Sequence, residues 1–159
     1  MIDARFEDAT ESPLRLIAAD SEGITVLSAL LQDAVFPITE MSFAAKRRRF
    51  ALLLNRFRWE DTDAAKQDGR RYERVQSLLV FQDVLSVKSQ GIDRKDADTV
   101  LSLLAVTFTP GPDGTGRIDL VLAGDGAIAL QVETVDVTLR DVSRPYLAPS
   151  GHVPTHDID

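Results

Sequence analysis

The stretch Ile118-Asp119-Leu120-Val121-Leu122-Ala123-Gly124-Asp125-Gly126-Ala127-Ile128-Ala129-Leu130-Gln131-Val132 decides the fold of this chain. Ile118, Leu120 and Leu122 recur at every second residue, and so do Ile128, Leu130 and Val132, the period of strands with one buried face. For both sets to share that face, Leu122 is expected to oppose Ile128. That leaves Gly124-Asp125-Gly126 as a three-residue loop, with Gly126 in the left-handed region. A two-residue loop would set apolar against polar side chains. The unit is an antiparallel hairpin.

Working outward, the same logic applies upstream. Met41, Phe43 and Ala45 alternate on one side of Lys46-Arg47-Arg48-Arg49, and Phe50, Leu52 and Leu54 alternate on the other. A shared face pairs Ala45 with Phe50, Phe43 with Leu52 and Met41 with Leu54, making Lys46 to Arg49 a four-residue tip. Past Leu54 the apolar set slips to Phe57 and Trp59, a step of three, which predicts a bulge near Asn55 and Arg56. Val75 to Val87 reads as a strand that kinks near Gln82-Asp83, and Leu78-Leu79-Val80-Phe81 has no polar side, so burial on both faces is expected. Leu101 to Phe108 is a further strand, ended by Pro110-Gly111-Pro112-Asp113-Gly114.

Before these strands, Leu14-Arg15-Leu16-Ile17 is a short strand. Asp20 or Ser21 then caps a helix through Ile24, Leu27, Leu30, Leu31 and Ala34, with Pro37 ending it. After them, Val135, Leu139 and Val142 fit a helix, while Val135, Val137 and Leu139 fit a strand; the reading leans to a capping helix. The result is an α+β domain: a mainly antiparallel sheet of about seven strands in hairpin order, with an early helix and this terminal helix. The split of the strands by the charged connection 91–98 suggests a pleckstrin-homology-like barrel by analogy of order. Residues 1–12 read as an acidic flexible tail, 13–142 as the single domain and 143–159 as a Pro-rich tail.

Composition excludes several chemistries. A chain of 159 residues is the size of one domain and buries about 68 to 70% of its unfolded surface. Cysteine is absent, which removes disulfides, thiol catalysis and thiolate metal sites and fits a reducing compartment. The first residues lack a signal-peptide pattern, and no apolar run approaches a membrane span, so a soluble cytoplasmic protein without a transmembrane segment is expected. A net charge of −7 argues against general nucleic-acid binding.

The charge is unevenly distributed. From Lys46 to Arg74 there are ten Lys and Arg against five Asp and Glu, while the remaining residues carry eight against twenty. Such segregation predicts a cationic face. The tip Lys46, Arg47, Arg48 and Arg49 is either an anion or membrane-surface contact or a solvated tip that protects the sheet from aggregation. Arg56, Arg58, Trp59, Arg71 and Arg74 mix planar cations with an aromatic ring, a combination that holds carboxylates or phosphates bidentately or anchors an interface. His152 and His156 lie in the Pro-rich terminus, and the acidic groups Glu60-Asp61-Asp63 and Asp93-Asp96-Asp98 lack the spacing of a calcium loop, so no metal site and no cofactor is expected. No nucleophile elbow, zinc-protease helix or kinase motif occurs.

Taken together, Leu27-Ser28-Ala29, Gln32-Asp33-Ala34, Arg49-Phe50-Ala51-Leu52 running to Asn55-Arg56-Phe57 and Trp59-Glu60, Gly91-Ile92-Asp93, and Leu101-Ser102-Leu103-Leu104 carry a resemblance. Over about Leu14 to Val142 the chain resembles a family of alphaproteobacterial proteins known as domain of unknown function 2948. The resemblance implies a cytoplasmic bacterial domain without an assigned activity, and it carries over no functional residue. The residues themselves favour a non-catalytic binding module whose basic face contacts an acidic protein or a small anion. An enzyme acting on an anionic metabolite, with arginine clamps and Asp33 or Glu60 as base, is the competing reading. A homodimer built on an apolar sheet face is the third.

Overall fold

In the computed structural model, which describes residues 13–61, 73–93 and 95–147, the alternating apolar positions become eleven strands around one helix. The strands are β1 (Arg15–Ala18), β2 (Val35–Pro37), β3 (Met41–Ala44), β4 (Arg49–Phe57), β5 (Glu73–Phe81), β6 (Val84–Gln90), β7 (Val100–Pro110), β8 (Gly116–Leu122), β9 (Ala127–Val132), β10 (Val137–Asp141) and β11 (Tyr146–Leu147). All pair antiparallel, in the order β1-β10-β5-β4-β2-β7-β8-β9-β6, with β3 also on β4 and β11 also on β5. The fold is α+β, mostly antiparallel sheet.

The helix α1 (Ser21–Leu31) starts where its cap dictates. Asp20 is extended and its side chain accepts the Gly23 N–H at 2.8 Å, an arrangement worth about 1 kcal/mol. Ile24, Leu27 and Leu31 are buried on the face that lies against β7, with β1 and β4 beside it. The helix ends at Leu31, earlier than Pro37. Asp33 then takes φ 65°, and Val35–Pro37 becomes a strand bridging β4 and β7. The core is continuous across both parts of the sheet: Leu52, Leu54, Leu79, Phe81 and Leu139 join Phe36, Leu103, Ile118, Leu120 and Leu130 in one cluster. Each such fully buried side chain contributes about 1.5–3 kcal/mol of transfer free energy.

Several expectations are corrected. The segment 134–142 is strand, not helix: β10 lies between β1 and β5, its backbone groups paired on both sides, and Val137, Leu139 and Asp141 point inward. The sheet is open, its path ending on β1 and β6, so the barrel is not formed. The first residue of β6 makes one bond to the turn between β3 and β4, from the Val84 N–H to the Arg48 carbonyl at 2.8 Å. Pairing also reaches beyond residue 142, because Tyr146 and Leu147 lie opposite Arg74 and Glu73.

Both hairpin registers are shifted by two residues, a displacement that keeps every side chain on its expected face. Met41 opposes Leu52 and Phe43 opposes Phe50, so the turn is Ala45 to Arg48 and Arg49 opens a strand. Leu120 opposes Ile128, and the Leu122 N–H reaches the Gly126 carbonyl at 2.9 Å. The left-handed residues of that loop are therefore Gly124 and Asp125, at φ 81° and 67°.

No bulge interrupts β4 at Asn55 and Arg56, since the pairing with β5 runs unbroken from Phe50–Phe81 to Phe57–Arg74. The inward series Phe50, Leu52, Leu54 continues into Arg56. The apparent slip arose because a charged residue occupies a core position.

A candidate cationic binding surface

The turn between β3 and β4 holds the basic tip. Ala45–Arg47 form one tight helical turn closed by Arg48 at φ 52°, leaving Lys46 and Arg47 exposed at its apex. Arg48 donates from Nη1 to Glu133 Oε2 at 2.9 Å, both side chains half exposed. Arg49 points Nε at Gln82 Oε1, 3.4 Å away. Lys46, Arg47 and Arg49 form no ion pair with any carboxylate among the described residues.

The other arginines of the basic stretch are placed differently. Arg56 is fully buried and its guanidinium is spent on structure: Nη1 and Nη2 fork onto the Glu60 carboxylate at 2.9 and 2.8 Å, and Nη2 also reaches Asp141 Oδ1 at 3.0 Å. Burial alone would lower its pKa. The hydrogen bonds and charges of Glu60 and Asp141 outweigh that and hold it above the ordinary arginine value. For Glu60, burial pushes the carboxyl up, but the Arg56 hydrogen bonds and charge win and keep it below the usual carboxylate range. With both oxygens engaged by the Arg56 fork and its carboxyl held low, Glu60 is poorly placed to accept a proton from a substrate.

Arg58 donates to Glu73 Oε1 at 2.7 Å, and Arg74 stacks 4.1 Å above the Phe57 ring. Trp59 packs against Phe57 with ring centres 5.4 Å apart and donates its indole N–H to the Gln32 carbonyl at 2.9 Å. These groups stitch the end of β4 to β5 and to the residue after α1. Asp33, the other candidate base, is 7% exposed, in a tight connection whose N–H bonds the Leu103 carbonyl at 2.8 Å. Arg71 lies outside the described residues. Among its described residues the basic stretch therefore divides into Arg56 and Arg58, buried and paired with carboxylates, and the exposed group at the turn.

Two residues that sequence reasoning did not single out join the exposed group. Arg15 on β1 is directly opposite Arg140 on β10, and Arg140 is opposite Leu78 on β5. With Arg49 they border an open hollow of about 300 Å³ whose other walls are Leu78, Val80, Gln82 and Thr138. Leu79 and Phe81 point into the core, but Leu78 and Val80 are only half buried, being the floor of this hollow rather than residues enclosed on both faces. Neither Arg15 nor Arg140 has an ion pair with a described carboxylate. The signal for these two arginines was nonlocal, because their meeting depends on the strand pairing of β1 with β10.

A second cleft of about 100 Å³ lies between β3 and β6, lined by Met41, Phe43, Phe50, Val87 and Ile128 with Ser42 and Ser89. The carboxylates of Asp93 and Asp96 accept backbone N–H groups two residues on, at 3.0 and 3.1 Å, and so shape their own turns. Among the described residues no cluster of His, Asp and Glu has the arrangement of a metal site, and no helix is long and apolar enough to cross a membrane.

These features define a class: an α+β protein with one helix against an open antiparallel sheet, whose outer face carries a group of arginines. The chain belongs to the family described as Protein of unknown function (DUF2948), whose family model matches residues 14–156. No curated protein and no solved structure matches the chain.

Proposed function

We propose that the protein is a non-catalytic binding module whose cationic surface holds an acidic protein partner or a small anion. One observation carries this reading. The chain has 25 Asp and Glu for 18 Lys and Arg, and Arg48, Arg56, Arg58 and Arg117 each pair with a carboxylate. Lys46, Arg47, Arg49, Arg15 and Arg140, on neighbouring turns and strands, have no such partner among the described residues. Of these, Arg15, Arg49 and Arg140 border one hollow, and cations grouped in this way concentrate positive potential that steers and orients an anionic partner. The absence of cysteine fits work in a reducing compartment such as the cytoplasm.

The test is binding of poly-glutamate, followed by fluorescence anisotropy at low salt. The unaltered protein is expected to bind it, and R47E/R49E to lose most of that binding. Equal binding by both proteins would refute the reading.

A further inference from the structure

We propose that the hollow bordered by Arg15, Arg49 and Arg140 receives an extended acidic segment of a partner protein, with carboxylates engaged at both ends and an uncharged residue on the Val80 floor between them. The inference rests on the binding-module reading and adds to it the location, the partner chemistry and its conformation.

The first support is the cross-strand pair. Arg15 and Arg140 are directly opposite, and like charges so placed oppose folding. Among the described residues no carboxylate pairs with either, so nothing there relieves their repulsion. A carboxylate arriving from outside converts it into attraction, since two guanidinium forks are then available to one anion.

Spacing supplies the second support and decides the shape of the ligand. Arg140 is opposite Leu78. Phe50 is opposite Phe81, which puts Arg49 beside Gln82, four residues on from Leu78 and just past the end of β5. At about 3.4 Å per residue that is a separation of roughly 14 Å along the strand, to which two strand spacings of about 4.8 Å are added crosswise. A lone phosphate at the Arg15–Arg140 end leaves Arg49 unused. An extended peptide whose carboxylates are separated by three residues matches the lengthwise repeat of the sheet beneath it, and the length of the Glu and Arg side chains takes up the crosswise offset.

The floor is the third support. Val80 and Thr138 are opposite each other in the middle of the hollow, Ala51 is the next residue across the sheet from Val80, and all are half buried. Small side chains there let a main chain approach closely. The hollow is open on one side, as suits a laid-on segment better than an enclosed small molecule.

The experiment titrates the full protein with three probes. One is a peptide with two glutamates separated by Val-Thr-Val, another is the same peptide with glutamines in place of glutamates, and the last is inorganic phosphate. Arg49→Ala and Arg140→Ala, each checked by circular dichroism, are compared with a control altered at the apex by Lys46→Ala and Arg47→Ala. The expected result is binding of the glutamate peptide alone with useful affinity, weakened about tenfold by either Arg49→Ala or Arg140→Ala and much less by the apex control. Loss confined to the apex control would overturn the inference while leaving the binding-module reading intact. So would phosphate binding that matches and displaces the peptide. No binding by any probe would sink both.

Discussion

Arg56 and Asp141, eighty-five residues apart in the chain, form a buried ion pair across β5, with Nη2 3.0 Å from Oδ1 and side chains 0% and 4% exposed. Ser77, on the strand between them, donates its hydroxyl to Asp141 at 2.7 Å and accepts the Arg56 Nε–H at 3.2 Å. Asp141 also accepts the Leu14 N–H at 2.8 Å, at the entry to β1. Four neighbouring strands are thus tied at one level of the sheet. The nearly saturated hydrogen bonding is what makes a charge at a core position tolerable.

Replacing Arg56 with alanine leaves the Asp141 carboxylate buried without its cation. The expected loss of stability is about 3–5 kcal/mol, read as a lower urea midpoint. Arg56→Lys keeps the charge but loses the fork onto Glu60, and should fall between the two. A midpoint for Arg56→Ala equal to that of the unaltered protein would show that the pair contributes nothing.

The same network sets a pH dependence. Glu60 has a folded-state pKa below its unfolded value of about 4.3, so its contribution is fully present above that pH. It is lost as the pH falls through the folded value. Glu60→Gln should therefore be less stable than the unaltered protein at neutral pH, and the difference should shrink through the acidic range below about pH 4. Paired denaturant titrations across that range check it.

Much of this was legible in the chain because strand alternation is a local signal. The inward series of β3, β4, β8 and β9, the Asp20 cap and the kink at Gln82-Asp83 all follow from neighbouring residues, and Asp83 indeed takes φ 57°. What escaped depends on partners far away. Arg56 reads as an exposed cation until Ser77 and Asp141 are placed beside it. The segment of β10 fits both periods and is read as a helix until β1 and β5 supply ladders on both its sides. With β10 unrecognised, Arg140 could not be set against Arg15, and the cationic hollow stayed out of view. The register shifts have a different origin: a displacement by two residues preserves the apolar pattern, so only loop geometry distinguishes the alternatives.

The Arg15–Arg140 pair makes a separate prediction for the protein without ligand. Arg140→Ala removes a like-charge cross-strand pairing, so it should be neutral or stabilising by a few tenths of a kcal/mol, although it deletes a long side chain from the border of the hollow. Because the repulsion is exposed it is screened by salt, and the difference in melting temperature between the two proteins should narrow as salt rises. A variant that melts several degrees lower at every salt concentration would show that Arg140 acts as a structural prop.

Two glycines of β8 and its hairpin should respond in opposite ways to the choice of replacement. A Cβ at Gly116 would lie 2.5 Å from Phe108 Cε1 and 2.6 Å from the Thr109 carbonyl oxygen, and that backbone oxygen cannot step aside without breaking the β7–β8 ladder. Gly116→Ala should therefore cost about 1–3 kcal/mol, as overpacking does, and the larger Gly116→Asn at least as much. At Gly124 the space is open, with nothing within 4 Å of the added carbon, but φ is 81°. The penalty there is conformational, roughly 1 kcal/mol for alanine and less for asparagine, whose side chain tolerates the left-handed region. Thermal melts of the four variants separate the two causes: asparagine should improve on alanine at position 124 and fail to do so at 116.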